Sequence, residues 1–145
     1  MGDYLEAARP LVDLEPRFDF FVGIDSDGCA FDTMEIKHKE CFIPNIIKYW
    51  DLQAVSKYAR EAAEFVNLYS KWRGINRWPA LIMVFDLLRE RPEVQARRVV
   101  PPEAPHIRAF IASGSPLSND GLKRYMADHP HPELDRALAW SNAVN

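Results

Sequence analysis

Apolar residues follow two different rhythms along the chain. Between the breaker Glu15-Pro16-Arg17 and the polar turn Asp25-Ser26-Asp27-Gly28, the run Phe18-Asp19-Phe20-Phe21-Val22-Gly23-Ile24 is short, aromatic and β-prone. Such a run predicts a buried strand, central in a parallel sheet. After Thr33 the spacing turns helical. Val55, Tyr58, Ala62, Phe65, Val66 and Tyr69 recur every three or four positions, which predicts an amphipathic helix over 54–72 that Arg73-Gly74-Ile75-Asn76 breaks. Pro79 suits the first turn of a second helix carrying Leu81, Ile82, Val84, Phe85, Leu87 and Leu88, which Pro92 stops. The proline-rich stretch 99–105 is a loop. Three further helices are expected, over 106–112, from a Ser118-Asn119-Asp120 cap through Ala127, and from Pro132 with Leu134, Leu138, Ala139 and Trp140.

This pattern is one strand followed by about five helices, without internal repeat. The expected fold class is therefore mostly α: an incomplete α/β domain, with a strand-bearing segment at 1–33 and a helical unit at 34–145. A lone strand leaves backbone donors and acceptors unpaired, so its neighbours are expected to lie outside this chain.

Composition narrows the function classes. At 145 residues the chain can bury one core. Its net charge of −3, with no basic block, argues against nucleic acid and anionic membrane surfaces as partners. Residues 1–15 are too charged for a secretory segment, and no apolar span has membrane length. Cys29 and Cys41 are the only cysteines and are expected to be reduced, in keeping with a cytoplasmic protein.

The chemistry-bearing segment is Asp25-Ser26-Asp27-Gly28-Cys29-Ala30-Phe31-Asp32-Thr33. An apolar run ending in D-x-D-G, with an acid and a threonine a few residues later, resembles the first motif of the haloacid dehalogenase superfamily. Asp25, Asp27, Gly28, Asp32 and Thr33 match, whereas Cys29 and Ala30 depart from the commoner residues. The resemblance implies a Rossmannoid core with a helical cap at 34–145 that closes over the site and selects the substrate. It also implies phosphomonoester hydrolysis through an aspartyl-phosphate. Asp25 would attack phosphorus. Asp27 would protonate the leaving oxygen and then deprotonate water. Mg²⁺ would be held by the Asp25 carboxylate and the Asp27 backbone carbonyl. An acid at the position of Asp27 accompanies phosphate-ester rather than carbon–halogen chemistry in this superfamily. The later motifs have no convincing counterpart, so the chain alone is expected to be inactive or nearly so.

Other readings stand beside this one. Asp-Ser-Asp-Gly is also an ordinary surface turn, and a calcium loop is out of register at Asp32. Trp72, Arg73, Arg77 and Trp78 surround the turn at Gly74. Arg73 and Arg77 are candidate substrate-binding residues for a small phosphorylated substrate, and equally candidates for a helix corner with guanidinium groups over indole rings. Residues 110–114 mimic the superfamily's second motif but read as a helix end with a glycine turn. Asp86 reads as structural. Glu35, His38 and Cys41 are too few for a zinc site, and His129 and His131 are expected to face solvent. The acidic surroundings of Cys29 oppose thiolate formation. A different class of function is also open, a helical interaction module that self-associates or pairs with a C-terminal partner chain completing the sheet.

Overall fold

The computed structural model describes residues 9–10, 12–15 and 17–144. The chain divides into two compact units, Met1–Phe31 and Asp32–Asn145, and each is considered by itself.

In the second unit, seven helical rods follow one another among the described residues. Rod α1 covers 34–49, passing from Met34–Ile36 through a wider π-helical stretch, Lys37–Phe42, into Ile43–Tyr49. Rod α2 covers 53–69, with a 3₁₀ turn at Gln53–Val55, an α-helix at Ser56–Glu64 and a second π-helical stretch at Phe65–Tyr69. Then come α3 (Arg77–Glu90), α4 (Pro92–Ala96), α5 (Pro105–Ala112), α6 (Asn119–Asp128) and α7 (Pro132–Ala143). The mostly helical expectation holds. The count rises from five to seven because 34–49 forms a full rod and Pro92 starts a short helix instead of only ending one. Pro92 can do this because a proline loses no hydrogen bond at a first helical position.

Side-chain caps explain where several rods begin. Asn76 Oδ1 accepts from the Trp78 N–H at 3.0 Å, and Ser118 Oγ from the Gly121 N–H at 3.0 Å. His131, expected to face solvent, instead caps α7 by accepting from the Glu133 N–H through Nδ1 at 3.2 Å, and its ring stacks on His106 with centroids 3.5 Å apart.

Helix α3 is apolar nearly all round and lies at the centre, burying Trp78, Ala80, Leu81, Ile82, Val84, Phe85 and Leu88. It packs against α2 and α5, while α7 packs against α1, α5 and α6. Asp86 on α3 is paired with Arg89 and Arg108, which is the structural role its sequence context suggests. The residues 110–114 end α5 as expected, with Gly114 at φ +75°.

The first unit departs from expectation. Residues 18–24 form no strand; the described residues contain one isolated bridge, between Asp27 and Phe31. Phe18, Phe20, Phe21, Val22 and Ile24 are between 71% and 93% exposed. The reason is elementary. A strand is made by its neighbours, and no described segment of this chain offers 18–24 a ladder partner.

The approach of α6 to the loop before it leaves no room for a side chain at Gly121, where an added Cβ would overlap the Pro116 carbonyl. Gly121→Ala is expected to lower the unfolding free energy by about 1–3 kcal/mol through overpacking, read from urea denaturation. An unchanged midpoint would contradict this packing.

Candidate functional site

Two places carry the residues singled out by sequence. The first is the turn from Asp25 to Phe31. The Gly28 N–H donates to the Phe31 carbonyl at 2.8 Å, Ala30 N–H to the Asp25 carbonyl at 3.2 Å and Phe31 N–H to the Ser26 carbonyl at 2.9 Å. The reversal passes through Gly28 at φ +71°, a left-handed conformation that a Cβ disfavours. Asp25 and Asp27 lie together on this turn, both exposed. Their oxygens are hard donors of the kind Mg²⁺ takes. Among the described residues no cluster of three or more His, Cys, Asp or Glu converges there or elsewhere, so the donor chemistry fits the ion while the ligand set is only begun.

The second place is a cavity of about 290 Å³ in the helical unit. Its walls are Met34, Lys37, His38 and Phe42 from α1, Asn67 from α2, and Gly74, Ile75, Asn76 and Arg77 from the turn into α3. The sequence-predicted pair is thereby separated. Arg77 lines the cavity, whereas Arg73 does not, and sits exposed on the turn. Arg73 adds a weak attraction to Glu35, whose carboxylate is held below its ordinary pKa chiefly by hydrogen bonds from Lys39 Nζ at 2.8 Å and Tyr69 Oη at 3.1 Å.

Arg77 is half-buried, and desolvation lowers its pKa from the ordinary value. Its Nη1 donates to the Ser141 carbonyl at 3.0 Å and the Ser141 hydroxyl at 2.9 Å, and its guanidinium lies 5.3 Å from the Phe42 ring centroid. The arginine over an aromatic ring anticipated from sequence is thus present, with a phenylalanine in place of an indole. Ser141 is fully buried and donates in turn to Asn119 Oδ1 at 2.6 Å.

His38 was discounted on sequence, yet it is only 8% exposed and its ring stands 4.9 Å from that of Phe42. Its Nδ1 is buried without a hydrogen-bond partner. Burial lowers its pKa below the ordinary 6.5, and the neighbouring Lys37 charge pushes in the same direction. The signal for this site was the side chains that accompany the two π-helical stretches. Asn45 Nδ2 donates to the Cys41 carbonyl at 2.8 Å, Asn67 Nδ2 to Ala63 at 2.8 Å and Ser70 Oγ to Val66 at 2.9 Å. Each side chain offers the ladder a second donor four residues along, the pattern that loosens regular α spacing.

No family model, curated protein or solved structure matches the chain.

A histidine kept neutral by burial links stability to pH with a definite sign. Its folded-state pKa lies below the unfolded value, so the unfolded chain binds the extra proton first and stability is lost as pH falls through about 6.5. The urea midpoint of the wild type is expected to fall between pH 7.5 and 5.5 by more than that of His38→Phe. Identical pH dependences would contradict the buried neutral imidazole.

Proposed function

We propose that residues 25–28 are the nucleophile turn of a haloacid-dehalogenase-type phosphohydrolase and that the helical unit is its substrate-selecting cap. The single observation that carries the reading is the joining of two unlike parts in one chain. An apolar run ending in Asp25-Ser26-Asp27-Gly28, with its side chains uncovered, precedes a helical unit with a complete core of its own. A run that is apolar on both faces suits a central strand, and a carboxylate after such a strand suits the crevice where open α/β sheets bind ligands.

In this reading Asp25 is the nucleophile, its carboxylate oxygen forming the bond to phosphorus as the ester oxygen departs. Asp27 gives that oxygen a proton and then takes one from the water that releases phosphate. The Asp25 carboxylate and the Asp27 backbone carbonyl would hold Mg²⁺, which supplies charge neutralisation opposite the phosphate dianion. Arg77 contacts a small phosphorylated substrate from the cap, and Arg73, exposed on the same turn, is available to its periphery. The phosphate-binding hydroxyl, the lysine and the further acids used by the superfamily belong to strands that complete the sheet.

A second reading is favoured by the uncovered side chains at 18–24. There the chain is a helical interaction module whose apolar segment adds to the sheet of a partner or of a second copy.

Magnesium-dependent hydrolysis of p-nitrophenyl phosphate separates the two. The chain alone is expected to show no turnover above buffer. Assembled with the strands that complete the sheet, it is expected to turn over, and Asp25→Asn should remove at least about 10³-fold of the rate and Asp27→Asn about 10²–10⁴-fold. Turnover that survives Asp25→Asn would remove the nucleophile assignment, and an assembled complex with no turnover would favour the interaction module.

A further inference from the structure

A second cavity of the helical unit, about 250 Å³ in volume, lies where the first turn of α7 meets the residue after α1 and the proline-rich loop before α5. Its apolar walls are Trp50, Pro102 and Pro132, and its charged walls are Glu133 and Arg136. Opposite charges three residues apart on a helix ordinarily reach one another, yet these two bond elsewhere. Glu133 Oε1 accepts from the Ile107 N–H at 2.8 Å, and among the described residues Oε2 has no hydrogen-bond partner. The Arg136 guanidinium stands 5.7 Å from the Trp50 ring centroid and donates from Nη1 to Asp51 at 3.4 Å. That ion pair is long and its side chains are 49% and 76% exposed, so it holds little of the arginine's charge. The walls are also fixed by unusual backbone. Asp51, next to Trp50, and Ala104, two residues after Pro102, are left-handed at φ +56° and +53°, a conformation that persists in alanine only where the surrounding structure imposes it.

We infer that this cavity binds a free α-amino acid with an apolar side chain, its ammonium beside Glu133, its carboxylate beside Arg136 and its side chain against Trp50, Pro102 and Pro132. One acid and one base share the lining, so a lone anion meets Glu133 and a lone cation meets Arg136, while a zwitterion satisfies both. Residues three apart on a helix carry their Cβ atoms about 5–6 Å from one another, a separation that suits two charged groups borne on a single carbon. The guanidinium presents the planar fork that a carboxylate fits. Ring walls from one tryptophan and two prolines are rigid and lose little freedom on binding. A volume of about 250 Å³ lies below the roughly 300–1,000 Å³ usual for ligand pockets, which suits a single amino acid and not a peptide or a nucleotide. None of these residues takes part in the hydrolytic reading, so the inference stands or falls apart from it.

The test is a titration of the ¹⁵N-labelled chain at pH 7.5 with L-phenylalanine, L-leucine, phenethylamine and 3-phenylpropanoate. L-Phenylalanine or L-leucine is expected to shift the amides of residues 50, 51, 133 and 136 saturably, with Kd about 1 mM or tighter. Phenethylamine lacks the carboxylate and 3-phenylpropanoate the ammonium, and each should bind at least about fivefold more weakly than L-phenylalanine. Arg136→Gln, on an exposed side chain, should weaken L-phenylalanine about three- to tenfold and should not weaken phenethylamine, which has no carboxylate to lose. Lys123→Gln, exposed on α6, should leave both unchanged. The inference is overturned by the absence of saturable shifts up to about 20 mM, or by either singly charged analogue binding as tightly as L-phenylalanine. It is equally overturned by an Arg136→Gln variant that leaves the L-phenylalanine Kd unchanged, or that weakens phenethylamine to the same extent.

Discussion

The edge-on packing of Trp78 between Trp140 and Phe110 is the contact on which the helical unit depends. Trp78 is 1% exposed, with ring centroids 5.7 Å from Trp140 and 5.8 Å from Phe110. Each such pair contributes about 0.5–1.5 kcal/mol beyond the area it buries, and together they tie α3 to α7 and α5. The next residue on each partner extends the contact. Arg77 precedes Trp78 and Ser141 follows Trp140, so the Arg77–Ser141 hydrogen bonds form directly beside the edge-on indoles. The arginine at the cavity is therefore set by the core and not by the loop that precedes it.

The two units use apolar residues in opposite ways. Every residue of the core cluster lies between Phe42 and Val144, and the packed helices leave only scattered apolar side chains in water. Residues 18–24 are as apolar as any helix of the core, yet all of their large side chains are exposed. A contiguous apolar stretch in water marks a surface meant to be covered. The aspartates at its end, Asp25 and Asp27, are exposed with it.

The helices were legible because their signals are local. Ser118 and Asn76 cap where short polar residues should, and the periodic apolar positions on α3 are largely the buried ones, while on α2 Val55, Ala62 and Val66 are buried but Phe65 and Tyr69 are exposed. The turn at Gly28 was legible for the same reason, since its left-handed backbone favours glycine. The lack of a strand at 18–24 was not, because composition records what a segment prefers and not whether a partner is there. The cavity was hidden for a related reason. His38, Asn67 and Arg77 come from different stretches of the chain, and only the packing of the helices brings them to a shared wall. Arg73 and Arg77 differ in their surroundings, Arg77 lining the cavity and Arg73 standing exposed on the turn.

Amide hydrogen exchange on the intact chain tests most directly the claim that a self-sufficient helical unit follows an uncovered apolar segment. Amides of 18–24 are expected to exchange at rates close to those of an unstructured peptide, while those of α3 (Arg77–Glu90) exchange only through global unfolding. Strong protection at 18–24 in the chain by itself would contradict the account, since it would mean that the strand already has its neighbours.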